Sequence, residues 1–377
     1  MTVSDNSVPR DVPPFRADHV GSFLRPESVR KARLEAQHGL ISPEELRAVE
    51  DDAIRALVKK EKECGLRAVT DGEFRRSWWH YDFFAGLEGI EKVAAEKPLA
   101  FHGVQPRAEK VVLTGRVDFT GRHPHLRDFA FLLANAGGAV PKMCIPSPAI
   151  LHLVLAVRDV HFRLPSSFYA DEDDFMESLT AAYRKAIRAF YEEGCRYLQL
   201  DDTSWGTLCS PEERSRLEQR GIDPDSLTRS YVAMINEAVR DRPADMAITM
   251  HICRGNFRST WMTSGGYEPV AGELFGKARL SGFFLEYDTK RAGDFTPLRF
   301  IRDQQVVLGL VSSKTGKLES REELKKRIAE AAEFVPLNQL CLSPQCGFSS
   351  TEEGNILTEE EQWNKIRLVA ETASEVW

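Results

Sequence analysis

The feature that most constrains the fold of this chain is an alternation of short apolar runs with helical patterns. Eight such runs are spread over the 377 residues, and they contain few charges, as strands covered on both faces do. The predicted strands are 17–22, 67–70, 139–145, 196–200, 247–252, 282–286, 306–311 and 339–342. Strands that alternate with helices predict a parallel sheet, and eight of them close a barrel. We therefore expect an α/β chain folded as a (β/α)8 TIM barrel.

Local signals mark where several of the intervening helices begin. A Ser or Thr followed three residues later by Glu satisfies two backbone amides at a helix start, an arrangement known as a capping box. This pair begins at Ser42, Ser210, Ser320 and Thr358. An open, doubly wound sheet is the alternative to a barrel. The chain has neither a GxGxxG segment after a strand nor a GxxxxGK[ST] segment, which weakens the nucleotide-binding form of that alternative.

The chain divides into a short leader and one large unit. Residues 1–15 carry three prolines and no apolar run, and we expect a disordered leader there. Residues 16–377 are predicted to form a single barrel. The stretch of about 85–138, between the second and third predicted strands, is too long for a simple strand-to-helix loop. Its segment 110–119 predicts a strand or hairpin, so we interpret the stretch as an insertion into the barrel.

Charge and composition narrow the classes of partner. The 50 Lys and Arg residues against 57 Asp and Glu give a net charge of −7 without a basic face, so we expect no nucleic-acid partner. No apolar run approaches the ~20 residues that a membrane span needs, and no signal-peptide core is present. We expect no membrane partner and a cytoplasmic location. Seven cysteines, an odd number, favour free thiols over a disulfide framework. The sequence leaves open whether the chain forms a homo-oligomer.

Four residues with metal-binding side chains follow or close predicted strands. His251 and Cys253 lie two apart, so their side chains point the same way from one strand. Glu286 closes the next apolar run, and Cys346 follows the last. Barrel active sites lie at this carboxyl-terminal rim, and imidazole, thiolate and carboxylate are zinc ligands. We predict a Zn2+ site that activates a substrate thiol. The alternative is that cysteines such as Cys253 are only small buried residues.

At these residues the chain resembles the cobalamin-independent methionine synthase family. His251-x-Cys253, Glu286 and the Pro-x-Cys-Gly segment at Cys346 match the four zinc ligands of that family. The family's catalytic half is a zinc-bearing (β/α)8 barrel, which the resemblance implies for this chain as well.

Three further segments carry the resemblance toward the amino-acid substrate. Val20-Gly21-Ser22-Phe23 resembles the segment whose serine holds the substrate carboxylate, and this implies that role for Ser22. Segments 71–76 and 198–202 resemble those that bind the substrate ammonium, and they imply that role for Glu73 and Asp201. Purely structural alternatives are an ion pair of Glu73 with a neighbouring arginine and a helix cap at Asp201. The lesser candidates, for supporting the site or contacting the donor, are His19, Asp202, Trp205 and Arg254.

The chain also departs from the family pattern. Full-length members carry a second, N-terminal barrel, so this chain resembles a short, stand-alone branch. The segment 146–153 lacks the tryptophan that stacks on the folate pterin in the family. The segment 311–317 lacks the histidine to which a proton-transfer role is attributed. These differences indicate an intact acceptor site and a rebuilt site for the methyl donor.

The functional prediction is a zinc-dependent methyltransferase. It would move a methyl group to homocysteine through a zinc-bound thiolate and release methionine. The donor is a methyltetrahydrofolate, a methylated corrinoid protein or a small methylated compound, and no catalytic residue beyond the zinc site is predicted. A zinc-dependent thioether lyase or an alkyltransferase for another thiol is the first alternative. A binding protein with a structural zinc is the second.

Overall fold

Seven parallel strands form the main sheet of the computed structural model, which describes residues 10–377. A separate antiparallel pair, β2 and β3, lies in the segment that follows β1. In the main sheet the order is β1-β4-β5-β6-β7-β8-β9. The strands are β1 (Ala68–Val69), β2 (Glu88–Ala94), β3 (Glu109–Asp118), β4 (Val140–Pro146), β5 (Tyr197–Asp202), β6 (Ala247–Ile252), β7 (Gly282–Glu286), β8 (Gln305–Val311) and β9 (Leu340–Pro344). The parallel sheet and its covering helices confirm the predicted barrel-like α/β fold.

The first predicted strand, 17–22, is corrected by the structure. It makes a single parallel bridge, between Ala17 and Leu342 of β9, and is otherwise irregular. It still occupies the eighth position of the barrel, because Phe23 N donates to Gly72 O beyond β1 at 3.1 Å and Phe348 N donates to Ser22 O at 2.9 Å. Asp18 N donates to Leu342 O of β9, but Ser22 O accepts from a loop residue, so the backbone contacts do not continue as a regular ladder.

Helices cover the outer face of the sheet, and their starts follow the capping prediction. All four predicted cap side chains accept a backbone N–H, and in two of them, Ser42 and Thr358, the glutamate returns the contact. The helices are α1 (Glu27–Gln37), α2 (Pro43–Glu63), α3 (Tyr81–Phe84), α4 (Pro124–Asn135), α5 (Pro148–His152), α6 (Glu172–Glu192), α7 (Ser204–Cys209), α8 (Pro211–Gln219), α9 (Pro224–Ala238), α10 (Glu268–Lys277), α11 (Arg321–Ala331) and α12 (Glu359–Val376). A π-helix, Leu153–Val157, continues α5.

The stretch between α3 and α4, residues 85–123, forms a cap over the barrel. The predicted strand at 110–119 is β3, and β2 is its hairpin partner. Residues 95–108 connect the two strands and lie against the loop that follows β6, where His102 stacks on Trp261 with ring centres 5.2 Å apart. Arg107 pairs with Glu352 at 2.7 Å in the loop that follows β9. The cap is thus held to two separate loops of the rim.

The leader prediction needs correction at its end. Residues 1–9 lie outside the described residues, but 10–15 pack on the barrel. Phe15 is buried, and Arg10 donates to the carbonyls of Pro13 and Pro14. An apolar ring at position 15 covers the end of the barrel, so the packed part of the chain begins before residue 16.

A buried polar cluster lies inside the barrel. Lys142 Nζ donates to His19 O at 2.5 Å and lies 3.4 Å from Asp18 Oδ1, while Tyr197 donates to Asp18 Oδ2 at 2.8 Å. Burial without partners would be costly for such charges, and here each has at least one. Among residues 10–377, no helix has the length and apolar character that a bilayer crossing requires.

Candidate metal centre and substrate cavity

Three of the four predicted metal ligands come together at the rim of the barrel. His251 ends β6, Cys253 follows it, and Cys346 lies just beyond β9. One ligand atom from each residue lies within 4.8 Å of the others, and all three side chains are buried. Neither ring nitrogen of His251 has a hydrogen-bond partner among the described residues. A buried imidazole without partners beside two thiols is the donor set that zinc prefers, so the residues fit the predicted ion.

The two thiols interact directly with each other. A hydrogen bond from Cys346 lowers the pKa of Cys253 well below its usual value, and the same contact raises the pKa of Cys346. His251 further lowers the pKa of Cys253. Burial opposes ionisation of both thiols, but each of these contacts favours a thiolate at Cys253, the form in which cysteine binds a metal.

Glu286 lies outside this group of three. Its carboxylate accepts from Arg291 at 2.7 Å and from the backbone amide of Arg254 at 3.0 Å. These cationic and amide donors lower the pKa of Glu286 despite its complete burial. The predicted fourth ligand is therefore an ionised carboxylate that is held by an arginine on the following loop. The sequence motif contains no sign of this contact, because Arg291 lies five residues further along, in a short 3-10 helix, Lys290–Ala292.

Two buried acids form a second group in the same part of the rim. Glu73, Asp201 and Cys144 each place a ligand-type atom within 4.8 Å of the others. Burial raises the pKa of Asp201 to about 7, and the nearby Glu73 adds to this rise. Burial also raises the pKa of Glu73, and Asp71 adds to that rise. One oxygen of Glu73 has no hydrogen-bond partner among residues 10–377. Two acids so placed have unused capacity for a cation.

The backbone at Glu73 is strained. Its φ is +60°, a left-handed conformation that is costly for a residue with a side chain. The predicted alternative of an ion pair is present only as a loose contact, because Arg76 Nη1 lies 3.7 Å from Glu73 Oε1. Asp201 does not cap a helix. The neighbouring Asp202 does so, by accepting from Ser204 N at 2.7 Å.

Ser22 lies against the loop that carries Cys346. Its hydroxyl accepts from Ser349 N at 3.3 Å. A Cβ at Gly347 would lie 1.9 Å from Ser22 Oγ, so only glycine allows this approach. The irregular 17–22 segment thereby places the serine beside the metal group, which a one-residue shift of the segment would prevent.

One cavity joins these groups. Its walls include the three metal-type ligands and the predicted substrate contacts Ser22, Glu73 and Asp201, together with Asp202. The other lesser candidates do not line it. His19 contacts Ala68 O and Glu61 beneath the rim, with its pKa lowered to about 4 by burial. Trp205 is buried against Tyr231, and the guanidinium of Arg254 donates to Gly265 O.

Several walls of the cavity were not predicted from the sequence. Leu99 and Phe101 reach it from the cap, His80 from the loop before α3, and Arg158 from the end of the π-helix. Neither periodicity nor a motif marks these four positions, since they meet only because the cap folds back over the barrel. Trp78 and Trp79, two residues of the same rim loop as His80, also line the cavity.

Known proteins with similar sequences and structures agree with this architecture. The family description "Cobalamin-independent synthase, Catalytic domain" matches residues 288–371. A solved structure from Listeria monocytogenes, described as a "Putative Vitamin-B12 Independent Methionine Synthase", is 44% identical and covers 98% of this chain and 99% of its own, with a TM-score of 0.76. The chain belongs to the cobalamin-independent methionine synthase family. The predicted resemblance is confirmed.

Two further relatives show how widely the family is spread. The uncharacterized protein YxjH of Bacillus subtilis is 51% identical over 97% of this chain and 95% of its own length. A B12-independent methionine synthase from Shewanella, in complex with selenomethionine, is 17% identical with a TM-score of 0.67 over 96% of this chain and 97% of its own, which shows a shared fold. Family membership places the chain among methyltransferases of methionine biosynthesis.

Proposed function

We propose that this chain is a zinc-dependent methyltransferase that moves a methyl group to the sulfur of homocysteine. The observation that carries the proposal is the placement of His251, Cys253 and Cys346 in one cavity with the acids Glu73 and Asp201. A homocysteine molecule carries a thiol at one end and an ammonium and a carboxylate at the other. The cavity offers a complementary group to each of them.

The metal would be held by His251, Cys253 and Cys346. Glu286 is available as a further ligand if its carboxylate leaves Arg291. When bound, zinc supplies the positive charge that lowers the pKa of an incoming thiol, so that the thiol reacts near neutral pH without a strong base. Arg254 and Arg291 keep Glu286 ionised although it is completely buried, and charge interactions are strong in such a dry environment.

The chain's own residues orient the amino acid. Glu73 and Asp201 bind the ammonium, whose arrival favours the ionised form of both acids. Ser22 donates its hydroxyl proton to the carboxylate, and Gly347 leaves the room that this serine needs. Holding both charged groups points the substrate sulfur toward the two cysteines and saves the entropy of orientation. The Shewanella relative is in complex with selenomethionine, the selenium analogue of methionine, which supports methionine as the product.

The cap and the loop before α3 line the other half of the cavity. Trp78, Trp79 and Phe101 place aromatic surface there and exclude water from the reacting sulfur. A methyltetrahydrofolate, a methylated corrinoid protein and a small methylated compound are the donor classes that the proposal includes. The side chain of Trp79 offers a flat surface for stacking, although the residue comes from the loop after β1 and not from the segment after β4.

The decisive test replaces zinc by Co2+, which has visible absorption bands that report sulfur ligands. We expect homocysteine to add a sulfur-to-cobalt band in the wild type and not in Cys346→Ser. Methylation is then followed by mass spectrometry with isotope-labelled donors of each class. A cobalt-loaded protein that ignores homocysteine but responds to another thiol would favour the alkyltransferase or lyase alternative. An ion that responds to no thiol would favour a structural role.

A further inference from the structure

Arg158 is a cation of the cavity wall for which the fold provides no partner. It directly follows the π-helix Leu153–Val157, and its side chain is partly buried. Among residues 10–377 its guanidinium makes no hydrogen bond and no ion pair, although five N–H groups are available. Most other cavity-facing charges, such as Glu73 beside Arg76, have an opposite charge nearby. None of its nitrogens is among the fully buried, unpartnered polar atoms of residues 10–377, so the guanidinium reaches solvent and is free to bind an anion.

The acids nearest to Arg158 are already engaged. Asp202 accepts from Ser147 and from Ser204, which hold its carboxylate toward α7. Glu213 is paired with Arg216 on the surface of α8. Burial lowers the pKa of Arg158, and these acids only partly oppose the effect. Arg158 lines the cavity and also a surface groove beside α8, and no acid neutralises its charge in either place.

The surroundings of Arg158 are flat and neutral. Trp79 stacks on His80 with ring centres 4.5 Å apart, and His80 stacks on Tyr81 at 4.0 Å. Burial lowers the pKa of His80 well below its usual value, and the charge of Arg158 lowers it further, so this ring is neutral. Phe101 covers the same region from the cap. A planar ligand with an oxyanion at one end would fill such a place.

The π-helix explains how Arg158 comes to face the cavity. A π-helical turn inserts one extra residue and shifts the direction of everything that follows, and such turns are frequent at functional sites. Here Arg158 N donates to Leu153 O at 2.8 Å, five residues back. Regular α-helical winding would rotate the side chain by roughly 100°. The irregularity lies in the segment that follows β4, where the family tryptophan is absent.

We propose that Arg158 binds an oxyanion, a carboxylate or a phosphate, on the methyl donor and thereby determines donor specificity. The amino-acid acceptor does not need this residue, because Ser22, Glu73 and Asp201 already provide for its charged groups. The assignment to the donor rests on the proposed function. The oxyanion site itself is independent of it and is tested separately.

The test uses three matched aromatic probes with the metal-loaded full chain. Benzoate carries a carboxylate, phenyl phosphate carries a phosphate, and benzamide has nearly the shape of benzoate without its charge. Binding is followed by ligand-observed NMR. We expect the wild type to bind at least one of the anions about 10-fold more tightly than benzamide, as a charge-assisted hydrogen bond provides. The preferred anion distinguishes a carboxylate donor from a phosphate donor.

Three variants complete the test. Arg158→Gln is expected to lose the preference for anions, and Arg158→Lys to keep part of it. Arg163→Gln, which changes an exposed arginine outside the cavity, is the matched control and is expected to bind like the wild type. Equal binding of all three probes by the wild type would overturn the proposal, and this comparison needs no folded variant. An anion preference that persists in Arg158→Gln would overturn it as well.

The homocysteine band of the cobalt-loaded protein separates this inference from the proposed function. Arg158→Gln is expected to keep that band, because the acceptor groups are untouched. An anion preference in a wild type that gives no band would leave the oxyanion site standing and contradict homocysteine as acceptor. A normal band in a wild type without anion preference would contradict the role of Arg158 alone.

Discussion

The two ends of the cavity are built in different ways. The acceptor end uses side chains at the ends of β5 and β6 and in the short loops after β1 and β9, where the sheet fixes each position. The donor end uses the cap, the loop that carries Trp79 and the π-helix. Strand ends of a parallel sheet move little relative to one another, whereas loops tolerate replacement. The difference explains how a chain can keep an acceptor site of its family and change the site for the donor.

The two ends of the cavity also differ in their electrostatic character. The acceptor end contains two groups of buried side chains, one with two thiols and the other with two acids, and each group lies within 4.8 Å. Burial raises the pKa of Asp201, whereas contact with Cys346 lowers the pKa of Cys253. At the donor end, aromatic rings surround a single arginine. The first arrangement is suited to holding cations and the second to holding a flat anion. Four predictions test this difference between the two ends, in order of decreasing expected effect.

Removing a metal ligand should abolish the function of the acceptor end. We expect Cys346→Ser to lower zinc from about one ion per chain to almost none and to reduce methyl transfer at least about 100-fold, since even residues that only support a ligand matter by 10–100-fold. Elemental mass spectrometry on both proteins measures the metal. Circular dichroism provides the control, because the barrel should stay folded. Global unfolding of the variant would favour a structural metal instead.

Neutralising the ammonium site should weaken acceptor binding without removing the metal. For Glu73→Gln we expect KM for homocysteine to rise about 10-fold or more, because one charge-assisted contact is lost. Steady-state kinetics measure the change. The matched control is 4-mercaptobutyrate, a thiol acid without an amine, for which wild type and variant should be equal. An equal loss with both thiols would show that Glu73 supports only the fold.

Trimming the cap should affect the donor alone. Phe101 lines the cavity and contacts Phe257 with ring centres 5.4 Å apart. We expect Phe101→Ala to raise KM for the methyl donor several-fold, as the loss of an aromatic contact does, and to leave KM for homocysteine unchanged. Kinetics with each substrate varied in turn give both values. A change in the homocysteine value would contradict the division of the cavity into two independent ends.

The smallest effect concerns the acid stability of the scaffold that carries the cap. His123 is buried, its Nε2 faces Phe83 O at 2.9 Å, and its Nδ1 accepts from His125 N at 3.2 Å, an arrangement that requires the neutral ring. Burial lowers the pKa of His123 to about 4 from its ordinary 6.5. The unfolded chain therefore binds the proton more readily, and the stability that this residue provides is lost as the pH falls from about 6.5 to 4.

Urea unfolding between pH 4 and pH 7.5 measures this loss. We expect His123→Asn, which keeps a side-chain acceptor at the start of α4, to flatten the decline by up to a few kcal/mol, since one pKa unit is worth about 1.4 kcal/mol. The exposed His38, at the end of α1, serves as the control in His38→Gln. An unchanged pH dependence in His123→Asn would show that other buried groups cause the decline.

Much of the fold was predictable because its signals are local. The helix starts at Ser42 and Thr358 were predicted from pairs of residues three apart, and β6 and β7 have the predicted bounds. The 17–22 segment was predicted as a strand from its apolar pattern, and there local preference failed. Ser22 O accepts from Phe348 N in the loop after β9, and the next amide, Phe23 N, donates to Gly72 O, contacts that no pattern within the segment encodes.

The same division holds at the site. The sequence by itself determined which residues stand at the strand ends, because strand periodicity and the order of elements depend on neighbours a few positions apart. That is enough to place His251, Cys253 and Cys346 on one rim. Only the tertiary structure decided that Glu286 is held by Arg291, that Phe101 closes the cavity and that Arg158 faces it without a partner. These outcomes depend on how the cap and the loops pack on the barrel, and packing is set by shape and charge across the whole molecule.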